Sequence, residues 1–166
     1  MPDAVDLITA AWRQQRPDVD VSPMEIMARL TRLSRILDHE FRTFFAAHKL
    51  EFWEFDVLAT LRRSNDENGL TAGALNKAAM VTSGAITNRL DRLAAKDLVK
   101  RIPDPTDRRA VRVHLTPKGR ALVDELLPLH VANEQRLLKD LDASDRDQLA
   151  GLLRALSESF GDTTIS

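Results

Sequence analysis

The 166-residue sequence has no cysteine. That removes disulfides, thiolate metal sites and cysteine nucleophiles together, and it suits a reducing cytoplasm. No stretch approaches ~18 uninterrupted apolar residues, so no segment reads as a membrane-spanning helix. The opening MPDAVDLITAAWRQQRPD lacks a basic start followed by a long apolar run, so a signal peptide is not expected. Internal repeats and low-complexity tracts are missing. So are a Gly-rich phosphate loop, a His-Glu-x-x-His pair and a Gly-x-Ser-x-Gly elbow. The four histidines are His39, His48, His114 and His130. His39 and His48 stand nine apart, which is not a helical metal pair. Neither catalysis nor a cofactor is expected. A strong net charge is missing too. With 24 basic and 25 acidic residues the balance is −1, which excludes a uniformly basic nucleic-acid coat protein but not a locally basic face.

What is present is enough apolar residue, 43%, to build a core, with 30% charged residues around it. The length fits one compact domain with helical extensions. Charge is uneven. Between Arg89 and Arg112 the bases are Arg89, Arg92, Lys96, Lys100, Arg101, Arg108, Arg109 and Arg112, and the acids are Asp91, Asp97, Asp104 and Asp107, so 8 − 4 = +4. A charge run is usually a solvated face, but the structural signals around this one argue for more.

Residues 3–15 carry Val5, Leu7, Ile8, Ala11 and Trp12, which fits a short amphipathic helix broken by Pro17. From Met24, Ile26, Met27, Leu30, Leu33, Leu37, Phe41, Phe44 and Phe45 recur at steps of three and four, predicting a long helix. A further helix is expected over 52–63. Leu70-Thr71 then leads into a short helix over 72–79, with Thr71 as N-cap, and Thr82 or Ser83 caps another running to about Lys96. Two short helices with a tight connection form a helix-turn-helix. After Asp97 the period changes to two, with Val99 and Arg101, then Val111, Val113 and Leu115, as strands require. Pro103-Asp104-Pro105-Thr106-Asp107-Arg108-Arg109 between them is turn-rich, and a helix-turn-helix followed by a basic-tipped hairpin is a winged helix. Thr116-Pro117 opens a helix towards Leu141, and a bend is expected at Pro128. Ser144-Asp145-Arg146-Asp147 starts the last helix, which Gly161 can end.

The fold class expected is mainly α, a winged helix-turn-helix with long N- and C-terminal helices and a small β-hairpin wing. Residues 1–50 form an extension helix and first dimerisation helix, 51–116 the winged domain, and 117–166 the C-terminal dimerisation helices. The long end helices carry more leucine and phenylalanine than one small winged domain can cover, which favours a homodimer over packing within one subunit.

The small start of the helix at Thr82, with Ser83, Gly84 and Ala85, lets its N-terminus approach a groove, where free N–H groups favour phosphate oxygens. Thr87 and Asn88 can reach base edges, and Asn pairs bidentately with adenine. Arg92 lies one turn on, near the backbone, and Arg108 suits a phosphate. Simple helix capping by Thr82 and Ser83 remains compatible with DNA contact.

Four segments now carry a resemblance. Thr82-Ser83-Gly84-Ala85-Ile86-Thr87-Asn88-Arg89-Leu90 followed by Leu98-Val99, then Asp104-Pro105-Thr106-Asp107-Arg108-Arg109, then Val113-His114-Leu115-Thr116-Pro117-Lys118-Gly119, resemble the MarR family of bacterial transcriptional regulators. The resemblance spans about residues 24–160. It implies a homodimer on a pseudo-palindromic operator, usually a repressor, released by a small ligand. It also implies that Arg109 enters the minor groove while Asp107 orients it; a narrow A·T-rich groove attracts arginine.

A narrower likeness is to the urate-responsive, PecS- and TamR-like branch, through an extra N-terminal helix with Trp12 and through Asp56, Arg89 and Arg101. That branch implies an anionic ligand, either urate or a tricarboxylate such as citrate or trans-aconitate, held between dimer helices and winged domain. An arginine fork suits such an anion, and Trp12 can cover an apolar face. The same residues also admit a structural reading, with Asp56 paired to Arg101 or Arg89 and Trp12 as an anchor. A helical scaffold that binds no DNA is the competing function. It accounts for the end helices but leaves the basic wing unexplained.

Overall fold

In the computed structural model the chain divides into two compact units, Met1–His48 and Lys49–Ser166. The structure describes residues 1–64, 69–79, 86–104 and 110–164.

The first unit is two helices, α1 (Ala4–Gln15) and α2 (Ser22–Ala47). Asp3 caps α1: its carboxylate accepts the N–H groups of Val5 at 2.7 Å and Asp6 at 2.9 Å, and Asp6 accepts the Asp3 N–H at 2.8 Å. This reciprocal box satisfies donors a helix start leaves open. Arg29 of α2 ties the box down, at 2.8 Å from Asp3 and 2.6 Å from Asp6. Pro23 sits in the first turn of α2, where its missing N–H is no loss. Ile26, Met27, Leu33 and Ile36 on α2 are each more than half exposed.

The second unit is built around α3 (Phe52–Ser64), whose Phe55, Val57, Leu58 and Leu61 are buried. Against it pack α4 (Ala72–Ala78), β3 (Val111–Leu115) and α6 (Pro117–Leu137). Helix α5 (Ile86–Ala95) leans on β2 (Val99–Pro103). β2 and β3 form the expected antiparallel hairpin, with Val99 opposite Leu115 and Arg101 opposite Val113. The sheet has a third strand that the sequence does not announce. β1 (Leu70–Thr71) pairs with β3, Leu70 opposite Val113, giving the order β1-β3-β2. Two residues are too few to display an alternation, so Leu70-Thr71 reads only as an approach to α4. Helix-turn-helix elements beside this sheet make the mainly α, winged architecture.

Local chemistry fixes the joints. Thr71 caps α4 through the Ala74 N–H at 3.1 Å. Asp97, at φ 58°, ends α5 in the left-handed region that Asp tolerates. The Leu98 N–H then returns to the Leu93 carbonyl and the Asp97 N–H to that of Ala94, closing a Schellman turn. Thr116 caps α6 through the Gly119 N–H at 3.0 Å and donates its hydroxyl to the Asp97 carbonyl at 2.7 Å. Gly119 is required there: a Cβ would lie 2.0 Å from the Leu98 carbonyl oxygen.

α6 continues through Pro128 and ends at Leu137, short of the expected Leu141. α7 (Ala143–Ser159) is capped by Asp142, whose carboxylate accepts the Asp145 N–H at 2.9 Å, so the helix starts earlier than at Ser144. Gly161, at φ 80°, follows its end. No residue of α7 is buried.

Candidate nucleic-acid interface

α5 is sharply two-sided. Leu90 and Leu93 are buried, while Thr87, Asn88 and Asp91 face solvent. The two polar residues that sequence reasoning assigns to base edges are thus on the open face, next to the hairpin. Thr82 and Ser83, Asp107, Arg108 and Arg109 lie outside the described residues. The hairpin is closed at the strand ends beside its turn. Asp104, nearly buried, pairs with Arg112 across the strands, and its N–H bonds the Ala110 carbonyl at 3.0 Å. Arg112 also donates to the Gly69 carbonyl at 3.2 Å, linking the hairpin to the approach of β1.

Arg92 is half exposed and held. Its guanidinium donates to Glu51 and lies over the Trp53 ring, 5.0 Å from the centroid. That partnership pulls the Glu51 carboxyl below the usual carboxylate range, with the Trp53 indole N–H adding to the effect, and raises the Arg92 pKa. Arg89 lies over the same ring at 5.3 Å. Lys96 reaches both carboxylate oxygens of Glu54, at 2.6 and 2.7 Å. Glu51, Trp53 and Glu54 escaped the sequence reading. The one available signal was the Glu-x-x-Glu spacing at a helix start, where Glu54 accepts the Glu51 N–H at 2.9 Å.

The anion-site residues fall as follows. Trp12 is in the first unit, near the end of α1, and 46% exposed. The other three belong to the second unit. Asp56 is buried on α3, Arg89 faces Trp53, and Arg101 projects from β2. Arg101 pairs with the Asp91 carboxylate at 2.7 Å and donates to the Thr87 carbonyl at 3.0 Å. Arg101 and Thr87 line a cavity of about 390 Å³ with Thr71, Leu90 and Val113; Asp56 and Arg89 are not among its described lining residues.

Among the described residues no group of His, Asp and Glu could hold a metal, and no helix is long and apolar enough to cross a membrane.

Comparison with known proteins follows the same lines. The MarR family profile matches residues 48–110. The transcriptional regulator PecS of Dickeya dadantii is 36% identical over 146 residues, 88% of each chain. A mutant MarR from E. coli complexed with operator DNA aligns at a TM-score of 0.70 and 29% identity, covering 83% of this chain and 99% of that one. Bordetella bronchiseptica BpsR, whose DNA binding is regulated by 6-hydroxynicotinic acid, aligns at 0.70 and 30% identity, covering 80% and 92%.

Proposed function

The chain belongs to the MarR family of transcriptional regulators, and from that premise we propose that it binds a pseudo-palindromic operator as a homodimer, represses transcription in the cytoplasm, and lets go when a small anion binds. It is a regulator and not an enzyme.

The observation that carries the DNA reading is the exposed pair Thr87 and Asn88, opposite the buried Leu90 and Leu93 and beside the hairpin. In this reading Thr87 and Asn88 meet base edges. Thr82, Ser83 and Arg108 meet phosphates, with Arg92 one turn along the helix. Arg109 enters the minor groove, oriented by Asp107. A two-fold dimer presents its two reading helices about one helical turn apart, ~34 Å. The second copy is supported by α7, which buries no residue of its own while exposing Leu149, Leu152, Leu153 and Phe160.

For the ligand, Arg101 supplies a guanidinium fork at a cavity large enough for a planar anion or a tricarboxylate. An arriving carboxylate or urate competes with Asp91 for Arg101. Losing that pair loosens β2 from α5, so the anion favours a shape that reads DNA poorly. Such differential affinity is what coupling requires. Trp12, Asp56 and Arg89 belong to the ligand set only by resemblance to the urate-responsive branch, none of them being among the described residues that line this cavity, and the ligand-regulated BpsR adds a planar heteroaromatic acid to the candidates.

The test is a mobility shift on DNA flanking the gene, at two salt concentrations, after a thermal-shift screen with urate, xanthine, citrate and aconitates. Specific retardation that weakens steeply with salt and is relieved by a hit supports the regulator. No retardation at low salt favours the scaffold instead.

A further inference from the structure

The basic residues of α5 do not all wait for DNA. Arg89 and Arg92 of α5 and Lys96 just beyond its end recur at helical spacing, and all three meet the start of α3. We propose that Glu51, Trp53 and Glu54 are positioning residues that fix the roll of α5, and with it the aim of Thr87 and Asn88 at base edges. This rests on the operator reading above and asks what holds its reading helix still.

The contacts are of three kinds and share partners. Glu51 accepts from Arg92 and, at 2.6 Å, from the Trp53 indole N–H, so one carboxylate aligns both. Trp53, almost buried, offers its ring to Arg89 and Arg92 at 5.3 and 5.0 Å, within cation–π range. Glu54 is wholly buried and is itself fixed by the Glu51 N–H, so Lys96 is held by an acceptor that cannot follow it. A buried carboxylate that loses its cation is costly, which resists rotation of α5 at that end.

The mechanical consequence is large relative to what base recognition tolerates. Side-chain tips lie ~5–6 Å from a helix axis, so a roll of ~20° displaces them by about 2 Å, more than a hydrogen bond to a base edge survives. Ordering Arg92 in advance also spares the entropy of immobilising it on binding.

The experiment compares full-length parent and variants on two duplexes of equal length, a footprinted fragment flanking the gene and a scrambled sequence, by fluorescence anisotropy between about 50 and 200 mM salt. Glu51→Gln and Trp53→Phe are expected to weaken binding to the footprinted fragment about tenfold, the scale of one mismatched base pair. Scrambled-DNA affinity and its salt slope should hold. Glu51→Gln added to Arg92→Gln should cost no more than Arg92→Gln alone. If Glu51 matters only as a negative charge, Glu51→Gln tightens both duplexes by the same factor, and the positioning role is overturned. Additive losses in the double variant overturn it as well. Glu51 is half exposed on its side chain, so Glu51→Gln carries the test should Trp53→Phe fold poorly. A parent that does not distinguish the two duplexes overturns the operator reading and the positioning role together.

Discussion

Arg101 on β2, the first strand of the wing hairpin, lies 2.7 Å from Asp91 on the open face of α5, and its other terminal nitrogen donates to the Thr87 carbonyl at 3.0 Å. The wing and α5 are thus joined by the Arg101 guanidinium. If an anion acts by taking that guanidinium, Asp91 is its competitor. Asp91→Asn should therefore tighten anion binding roughly two- to fivefold, the scale of an exposed ion pair, and Arg101→Ala should abolish it. Calorimetric titration with urate and with citrate measures both. Unchanged affinity in Asp91→Asn would mean that Arg101 is not the shared group.

The wing supplies a second contrast. Arg109→Ala should lower operator affinity by about tenfold or more, since an arginine placed in a groove is worth ~1–3 kcal/mol. Arg42→Ala should change it little, because Arg42 is spent on Asp38 of the same helix at 3.0 Å. Anisotropy titrations of both variants at one salt concentration decide it. Equal affinities for Arg109→Ala and the parent remove the wing from the interface.

Which parts of this arrangement were legible beforehand follows from range. The helices announced themselves by period, and Thr71 and Thr116 by cap chemistry; each accepts the backbone N–H three residues on. The open placement of Thr87 and Asn88 follows from the spacing of Leu90 and Leu93 on the same helix. β1 was invisible because two residues carry no period. Asp142 and Ser144 are both good caps, and only the fold decides that Asp142 is used. The grip on α5 was out of reach for another reason. Glu51 and Arg92 are 41 residues apart, Glu54 and Lys96 are 42 apart, and no local pattern links such pairs. Asp91 was visible only as one acid in a basic stretch.

Gly119 turns a fragment of the family pattern into a steric requirement. Its missing Cβ would sit 2.0 Å from the Leu98 carbonyl oxygen, and that backbone cannot yield because it also accepts the Thr116 N–H at 3.1 Å. Gly119→Ala should destabilise the second unit by about 3 kcal/mol, the upper range for overpacking. In urea the midpoint should fall with an unchanged slope. A midpoint equal to the parent's would mean that α6 can shift away from Leu98 at no cost.

Asp3 gives the first unit an acid-sensitive lock. Arg29 first, then the Asp6 N–H, lower its pKa to about 2 from an ordinary 3.8. A depressed carboxylate stabilises the folded state above its unfolded pKa and loses that contribution as pH falls through its folded one. The window is therefore from about pH 4 down to about pH 2. Asp3→Asn should lower the melting temperature by a constant amount above pH 5, and the gap to the parent should close on acidification. Circular dichroism melts at several pH values measure this. A gap of the same size at pH 2 and pH 7 would assign the role of Asp3 to shape and not to charge.

The last helix makes the strongest demand for a partner. Leu152 is 65% exposed and Phe160 77%, Leu149 and Leu153 are each at least 40%, and nothing on α7 is buried. An isolated helix of 17 residues gains its stability chiefly from packing an apolar face. In one copy that face is bare, so a second copy is what would cover it. The parent should be a dimer by light scattering at micromolar concentration, with a melting temperature that rises with concentration. Leu152→Glu puts a charge at the centre of the bare face and should weaken dimerisation about thirtyfold or more, as for a central interface residue. A single copy tolerates that change, since the position is already open to water. A parent that scatters as a monomer, or a Leu152→Glu variant that dimerises as tightly, would leave α7 exposed and remove the two-fold geometry on which a palindromic operator depends.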